Sequence, residues 1–130
     1  EMLWRHQLAY RDVSEIGNPT YIYAKAVREV LNNYDRVKGM AHITGGGLVE
    51  NVPRIIPRGL GARINYDAWP LPKIFYQIMM AGEIPPEEMK RVFNLGIGYC
   101  LVVNPDNQEY VHDLIKACGF KSWTIGDIVV

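Results

Sequence analysis

The chain has 130 residues, with 14 basic against 14 acidic side chains, 48% hydrophobic residues and 22% charged ones. That length suffices for one domain with a real core and hardly for two, and the balanced charge favours neither nucleic acid nor an anionic membrane surface. No apolar run reaches the length of a membrane span, no signal-peptide pattern opens the chain, and a cytoplasmic protein is expected.

Residues 1–17 mix Trp4, Arg5, His6, Tyr10 and Arg11 without a sustained period and read as irregular. The chain opens on Glu1 and not on an initiator Met, which reads as a processed product or a piece of something longer. Asn18-Pro19-Thr20 then has the form of a helix start, and Ile22, Ala26, Val27, Val30 and Leu31 recur at helical spacing up to Asn32-Asn33. Residues 37–43 read as a strand that runs into three consecutive glycines. Residues 48–56 read as a short helix, with Pro53 near its first turn, where a missing N–H does least harm.

Pro57-Arg58-Gly59 is a turn signal and residues 60–64 a short strand. A helix follows Trp69-Pro70-Leu71-Pro72 and closes at Gly82, and the spacing puts Trp69, Met79 and Met80 in the core. Pro85-Pro86-Glu87-Glu88 starts another helix, with proline and acids in its first turn. Residues 99–103 form an apolar strand, and Asn104-Pro105-Asp106 caps a helix whose stripe of Val111, Leu114, Ile115 and Cys118 ends at Gly119. Residues 121–130 form a closing strand. His112, on that last helix, reads as a surface residue. Cys100 and Cys118 read as free thiols of a reducing compartment. Short strands interspersed with Pro-led helices predict an α+β fold, a mixed sheet covered by helices.

The chemistry concentrates at Gly45-Gly46-Gly47. Three adjacent glycines are costly in backbone entropy, so a chain that keeps them needs positive φ or a close backbone approach. Without Cβ atoms their N–H groups can line a concave surface at the start of a helix, which is the physics of an oxyanion or phosphate cradle; a tightly packed strand-to-helix turn explains them equally well. On the cradle reading Gly46→Val abolishes ligand binding and leaves the fold intact. His42 and Thr44 precede the glycines, and Asn51 follows within the first turns of the helix. Gly96 and Gly98 allow a second close approach, as a ligand wall or as a bulge at a strand start. No zinc spacing, EF-hand loop, GxSxG, Walker pattern or GxGxxG is present, and no carboxylate cluster of the kind that holds Mg²⁺.

The run from Gly39 to Arg54, with Ala41-His42-Ile43-Thr44-Gly45-Gly46-Gly47 at its centre, resembles the phosphoribosylformylglycinamidine cyclo-ligases, also called aminoimidazole ribonucleotide synthetases. Further matches follow in the family's order: Pro19-Thr20 with Ile22-Tyr23, Trp69-Pro70 with Pro72 and Phe75, Glu87-Glu88-Met89, Phe93-Asn94 with Gly96-Ile97-Gly98, and Ile125-Gly126. The resemblance covers residues 19–130 as a C-terminal domain, with residues 1–18 as an irregular segment that could be the junction to an N-terminal half. It implies ATP-dependent ring closure in purine synthesis, with ATP and Mg²⁺ as cofactors and the metal ligands in that other half. It also implies formylglycinamidine ribonucleotide as substrate, a homodimer in the full-length enzyme, and a fragment inactive alone. His42 becomes a catalytic candidate for proton transfer, and Thr44, Gly45, Gly46, Gly47, Asn51, Asn94, Gly96 and Gly98 become substrate- or phosphate-binding candidates. Selenophosphate synthetase, thiamine-monophosphate kinase and a hydrogenase maturation factor belong to the same wider superfamily, and the unbroken glycines favour the purine enzyme. The alternative is a stand-alone module that binds a nucleotide or phosphorylated metabolite without turning it over.

Overall fold

The computed structural model describes the backbone of Met2–Gln7 and all atoms of residues 22–130. Five strands form one sheet in the order β2-β4-β1-β5-β3: β1 Met2–Gln7, β2 Gly39–His42, β3 Gly61–Ile64, β4 Tyr99–Val103 and β5 Ser122–Val129. All four pairings are antiparallel, where the sequence predicts a mixed sheet, and the α+β class holds. The larger correction concerns β1. Residues 2–7 read as irregular, yet they form the central strand, with Leu3 opposite Val103 on one side and Asp127 on the other. The expected helix start at residues 18–20 lies outside the described residues.

Helices cover both faces, because β4 is apolar on both. Cys100 and Val102 face a cluster with Ala41, Ile43, Leu48, Val52, Trp69 and Met89. Leu101 and Val103 face another with Val30, Tyr34, Val111 and Ile115. A strand buried on both sides needs a continuous apolar run, and Cys100-Leu101-Val102-Val103 supplies it. The first face carries α2 (Gly47–Asn51), a 3₁₀ turn at Pro53–Ile55, α3 (Lys73–Ala81) and α4 (Pro86–Val92); the second carries α1 (Ala24–Asn33) and α5 (Gln108–Ala117).

Local chemistry sets the helix limits. Pro86 begins α4 and Glu87 and Glu88 fill its first turn, while Lys90 and Arg91 close it, each charge on the side the helix dipole favours. The Asn104 side chain accepts from the Asp106 N–H at 2.9 Å, which starts the turn leading into α5. The single short helix expected over residues 48–56 breaks into α2 and the 3₁₀ turn, since Pro53 has no N–H to donate back to an α-helical carbonyl. Met80, expected in the core, is 59% exposed, whereas Trp69 is buried. His112 is not a bare surface residue. Its ring is half-buried, with Nδ1 against the Ser122 hydroxyl and Nε2 3.2 Å from Thr124 Oγ1, so it ties α5 to β5. Cys100 is buried and Cys118 half-buried, both free thiols; burial pushes the Cys100 thiol well above its ordinary range.

Candidate functional site

Both glycine segments lie at one end of the β2–β4 pair. Strand β2 ends at His42, and the next N–H, that of Ile43, donates to Gly98 O at 2.9 Å just before β4 begins. One hydrogen bond therefore brings the turn of residues 44–47 beside the turn of residues 94–98. The second contact is tighter. A Cβ at Gly47 would run into Phe93 O and lie 2.7 Å from Lys90 O, so α2 starts against the last carbonyls of α4.

In the first turn Gly46 has φ +93 and Gly47 φ +59, conformations that other residues enter only at a cost. A Cβ at Gly46 would also collide with the Glu50 side chain, 2.8 Å from its Cβ. Gly45 differs: nothing lies within 4 Å of where its Cβ would stand. Asn51, buried, holds the turn from beneath. Its Nδ2 donates to Gly47 O at 2.8 Å and lies 3.2 and 3.3 Å from Gly45 O and Thr44 O, while the Thr44 hydroxyl donates to Asn51 Oδ1 at 3.4 Å. The Gly47 N–H closes the turn on Thr44 O at 3.1 Å, and among the described residues the N–H groups of Gly45 and Gly46 donate to no backbone carbonyl.

The second turn is built by side chains too. Asn94 Oδ1 accepts from the Gly96 N–H at 2.9 Å, an Asx turn, and the Ile97 N–H donates to Asn94 O at 3.1 Å. Leu95 takes φ +55, and its carbonyl accepts from buried Trp69 Nε1 at 3.0 Å. A Cβ at Gly96 would lie 2.7 Å from Pro72 Cγ, and one at Gly98 would overlap the Tyr23 hydroxyl.

His42 turns to the α1 side of the sheet. Its exposed ring lies 5.8 Å from the Tyr23 ring, edge-on, and stacks at 6.1 Å with Tyr99, its partner across the strand pair. Tyr23 also meets Tyr99 at 5.7 Å and Phe120 at 5.9 Å. Burial raises the Tyr99 phenol above its ordinary range, with Cys100 beneath it adding to the shift.

The structure thus gathers all nine candidates around two adjoining turns and separates them by task. Asn51 and Asn94 spend their amides on the turns, and Gly47, Gly96 and Gly98 are places of close packing. Gly45, Thr44 and His42 present exposed surface. Tyr99 and the packing role of Tyr23 escape a sequence reading, because an aromatic at a helix start carries no sign of the strand it will meet. A cavity of about 400 Å³ between Tyr66, Trp69, Met79 and Met89 opens behind the second turn and not at the first. Lys90 stands over the Tyr66 ring at 4.7 Å there and pairs with Glu87 at 3.0 Å.

The antiparallel sheet with helices on both faces and a pair of glycine turns at one end defines the class of the domain. It is the fold of a domain in a solved structure described as T. maritima PurL complexed with AMPPCP, which aligns with a TM-score of 0.63 over 98% of this chain and 21% of that one, at 16% identity. Residues 4–130 match the family model of the AIR synthase related protein, C-terminal domain, and the chain belongs to that family. It is 49% identical, over 88% of its length, to the phosphoribosylformylglycinamidine cyclo-ligase of Pseudothermotoga lettingae, covering 34% of that protein. To the chloroplastic phosphoribosylformylglycinamidine cyclo-ligase of Arabidopsis thaliana it is 44% identical over 85%, covering 28%. The chain spans about a third of the length of the curated relatives it matches.

Proposed function

We propose that these residues are the C-terminal domain of a phosphoribosylformylglycinamidine cyclo-ligase, which closes the imidazole ring of formylglycinamidine ribonucleotide with release of ADP and phosphate. The observation that carries the reading is the 49% identity, over 88% of the chain, to a protein of that name. ATP, when bound, supplies the phosphoryl group that makes the formyl amide oxygen a good leaving group; the protein's share is positioning and charge stabilisation.

An anionic oxygen fits at Gly45. The space above its Cα is open and the neighbouring N–H groups are not committed to backbone carbonyls, so two backbone donors can meet it there. The Glu50 carboxylate, packed against Gly46 and 3.9 Å from Arg54, disfavours a second negative charge on its own side of the turn. We infer that His42, exposed at the end of β2, exchanges a proton with a ligand held at the turn. Among the described residues no group of three or more His, Cys, Asp or Glu side chains could by itself hold a metal ion. We assign the metal ligands to the part of the enzyme outside this domain, together with the contacts of a homodimer. No helix among the described residues is long and apolar enough to cross a membrane.

The test is ADP release by the full-length enzyme that carries these residues, with formylglycinamidine ribonucleotide present and absent. Substrate-dependent release is expected, and His42→Asn is expected to lower kcat by about 10²-fold or more. Ligand binding without any release would overturn the enzyme reading and leave a module that binds a nucleotide or phosphorylated metabolite.

A further inference from the structure

Tyr23 lies at the start of α1, far along the sequence from either glycine turn, yet it touches both ends of the site. Its ring is half-buried among three others: His42 edge-on at 5.8 Å, Tyr99 at 5.7 Å and Phe120 at 5.9 Å. Its hydroxyl occupies the volume that a Cβ on Gly98 would need, and its Cζ would lie 2.6 Å from that atom. Gly98 is also the residue whose carbonyl receives the Ile43 N–H, so the phenol packs where the two turns are tied together. The backbone end of Tyr23 is fixed as well: it is the N-cap of α1, and its carbonyl accepts from the Val27 N–H at 3.0 Å.

From this geometry we propose that Tyr23 is a positioning residue for the candidate site, holding the His42 imidazole against Tyr99 in one orientation and filling the space beside Gly98 that keeps the turns in register. Its part in the reaction rests on the proposed function above; its hold on His42 does not. The physical reason is simple. His42 is on an exposed part of β2, and an exposed imidazole samples several rotamers unless neighbours remove them. Tyr99 covers one face of the ring and Tyr23 closes on it edge-on, so the pair removes that freedom. An imidazole already held where the proton must move spares the reaction the entropy of aligning it. Gly98 follows from the same arrangement, because any side chain there would displace the phenol.

The experiment reads the His42 ring protons by NMR in this 130-residue chain, assigned by their loss in His42→Asn. Tyr23→Leu removes a ring current and is expected to shift and broaden them, while Tyr23→Phe, which keeps the ring, leaves them close to their original positions. Gly98→Ala pushes the phenol from the opposite side and is expected to move the same resonances, which covers the case of a Tyr23→Leu chain that does not fold. In the full-length enzyme Tyr23→Leu is expected to lower kcat about tenfold with KM little changed, and Tyr23→Phe to restore most of it. His42 resonances that stay in place in folded Tyr23→Leu, or in Gly98→Ala, overturn the positioning role whatever the enzyme turns over. A normal NMR response in a protein with no ADP release overturns the functional reading alone.

Discussion

The two glycine turns at the end of the β2–β4 pair are built from the same residue types and differ in what they leave open. Each has an asparagine that holds it, but in opposite senses. Asn51 uses its amide N–H to gather the carbonyls of Thr44, Gly45 and Gly47, whereas Asn94 uses its amide oxygen to receive the Gly96 N–H. Carbonyls drawn beneath the first turn leave its N–H side free for an anion. In the second turn the N–H groups of Gly96 and Ile97 are consumed internally, and Pro72, Trp69 and Tyr23 occupy the remaining space. The first turn thus keeps an open side at Gly45, and the second is packed closed at Gly96 and Gly98.

Gly47→Ala is the substitution expected to damage this arrangement most. It combines φ +59 with a Cβ directed at two backbone carbonyls of the α4 end, which cannot swing aside as a side chain can. A loss of about 3 kcal/mol or more is expected, read as a fall in the urea midpoint. Gly46→Ala shares the positive φ but meets only the Glu50 side chain, and about 1–2 kcal/mol is expected. Equal losses at the two positions would show that backbone strain dominates and that the contact with α4 adds nothing. The same comparison corrects the expectation that Gly46→Val would spare the fold, since a branched side chain at φ +93 strains the turn itself.

Next in size is Asn51→Asp. It exchanges a donor surrounded by three carbonyls for a carboxylate in a buried place, and about 2–3 kcal/mol is expected. On the second turn Trp69→Phe keeps one aromatic ring but loses the other together with the N–H that satisfies Leu95 O, and the lost hydrogen bond alone is expected to cost about 1–2 kcal/mol. If Trp69→Phe cost more than Asn51→Asp, the wall and not the open turn would be the more tightly held of the two.

A pH dependence sharpens the contrast between the sheet beneath the turns and the turns themselves. The Tyr99 phenol and the Cys100 thiol are both raised in the folded state, chiefly by burial, so the native protein binds more protons than the unfolded chain at alkaline pH. The stability they contribute is complete below the ordinary values of these groups and is lost as pH rises through the raised ones. The urea midpoint is therefore expected to fall above about pH 9. The Tyr66 phenol, raised chiefly by burial and also by Glu87, adds to the same fall, so Tyr99→Phe removes one of three groups and is expected to flatten it in part; an unchanged slope would remove Tyr99 from the account.

Much of this was legible in the residues. The strand over residues 99–103 is where its apolar run places it, and the proline, acid and glycine signals fix α3 and α4 within a residue or two, while Asn104 caps a 3₁₀ turn and α5 starts three residues later than expected. The central strand was not legible. Residues 2–7 carry no alternation of their own, and what makes them a strand is pairing with β4 and β5, which come from the far end of the chain. The candidate residues were legible as a group but not in their tasks. An asparagine beside a glycine turn can hold the loop or face a ligand, and sequence spacing is the same in both cases; only the carbonyls around Asn51 and the Gly96 N–H against Asn94 decide between them. Met80 is the opposite failure, an apolar residue at core spacing on a helix in which no residue is fully buried.

The smallest expected effect on stability is also the most informative about the open turn. Gly45 needs neither positive φ nor close packing: no heavy atom lies within 4 Å of its missing Cβ. Gly45→Ala is therefore expected to change stability by no more than about 0.5 kcal/mol, unlike either neighbour. If this glycine exists so that a ligand can reach the backbone, the methyl group stands where the ligand does. The full-length enzyme is then expected to need about tenfold or more nucleotide or substrate for half-maximal ADP release, while its unfolding midpoint stays put. Unchanged kinetics in Gly45→Ala would mean that nothing approaches the first turn from its open side, and the two turns would then differ in packing alone.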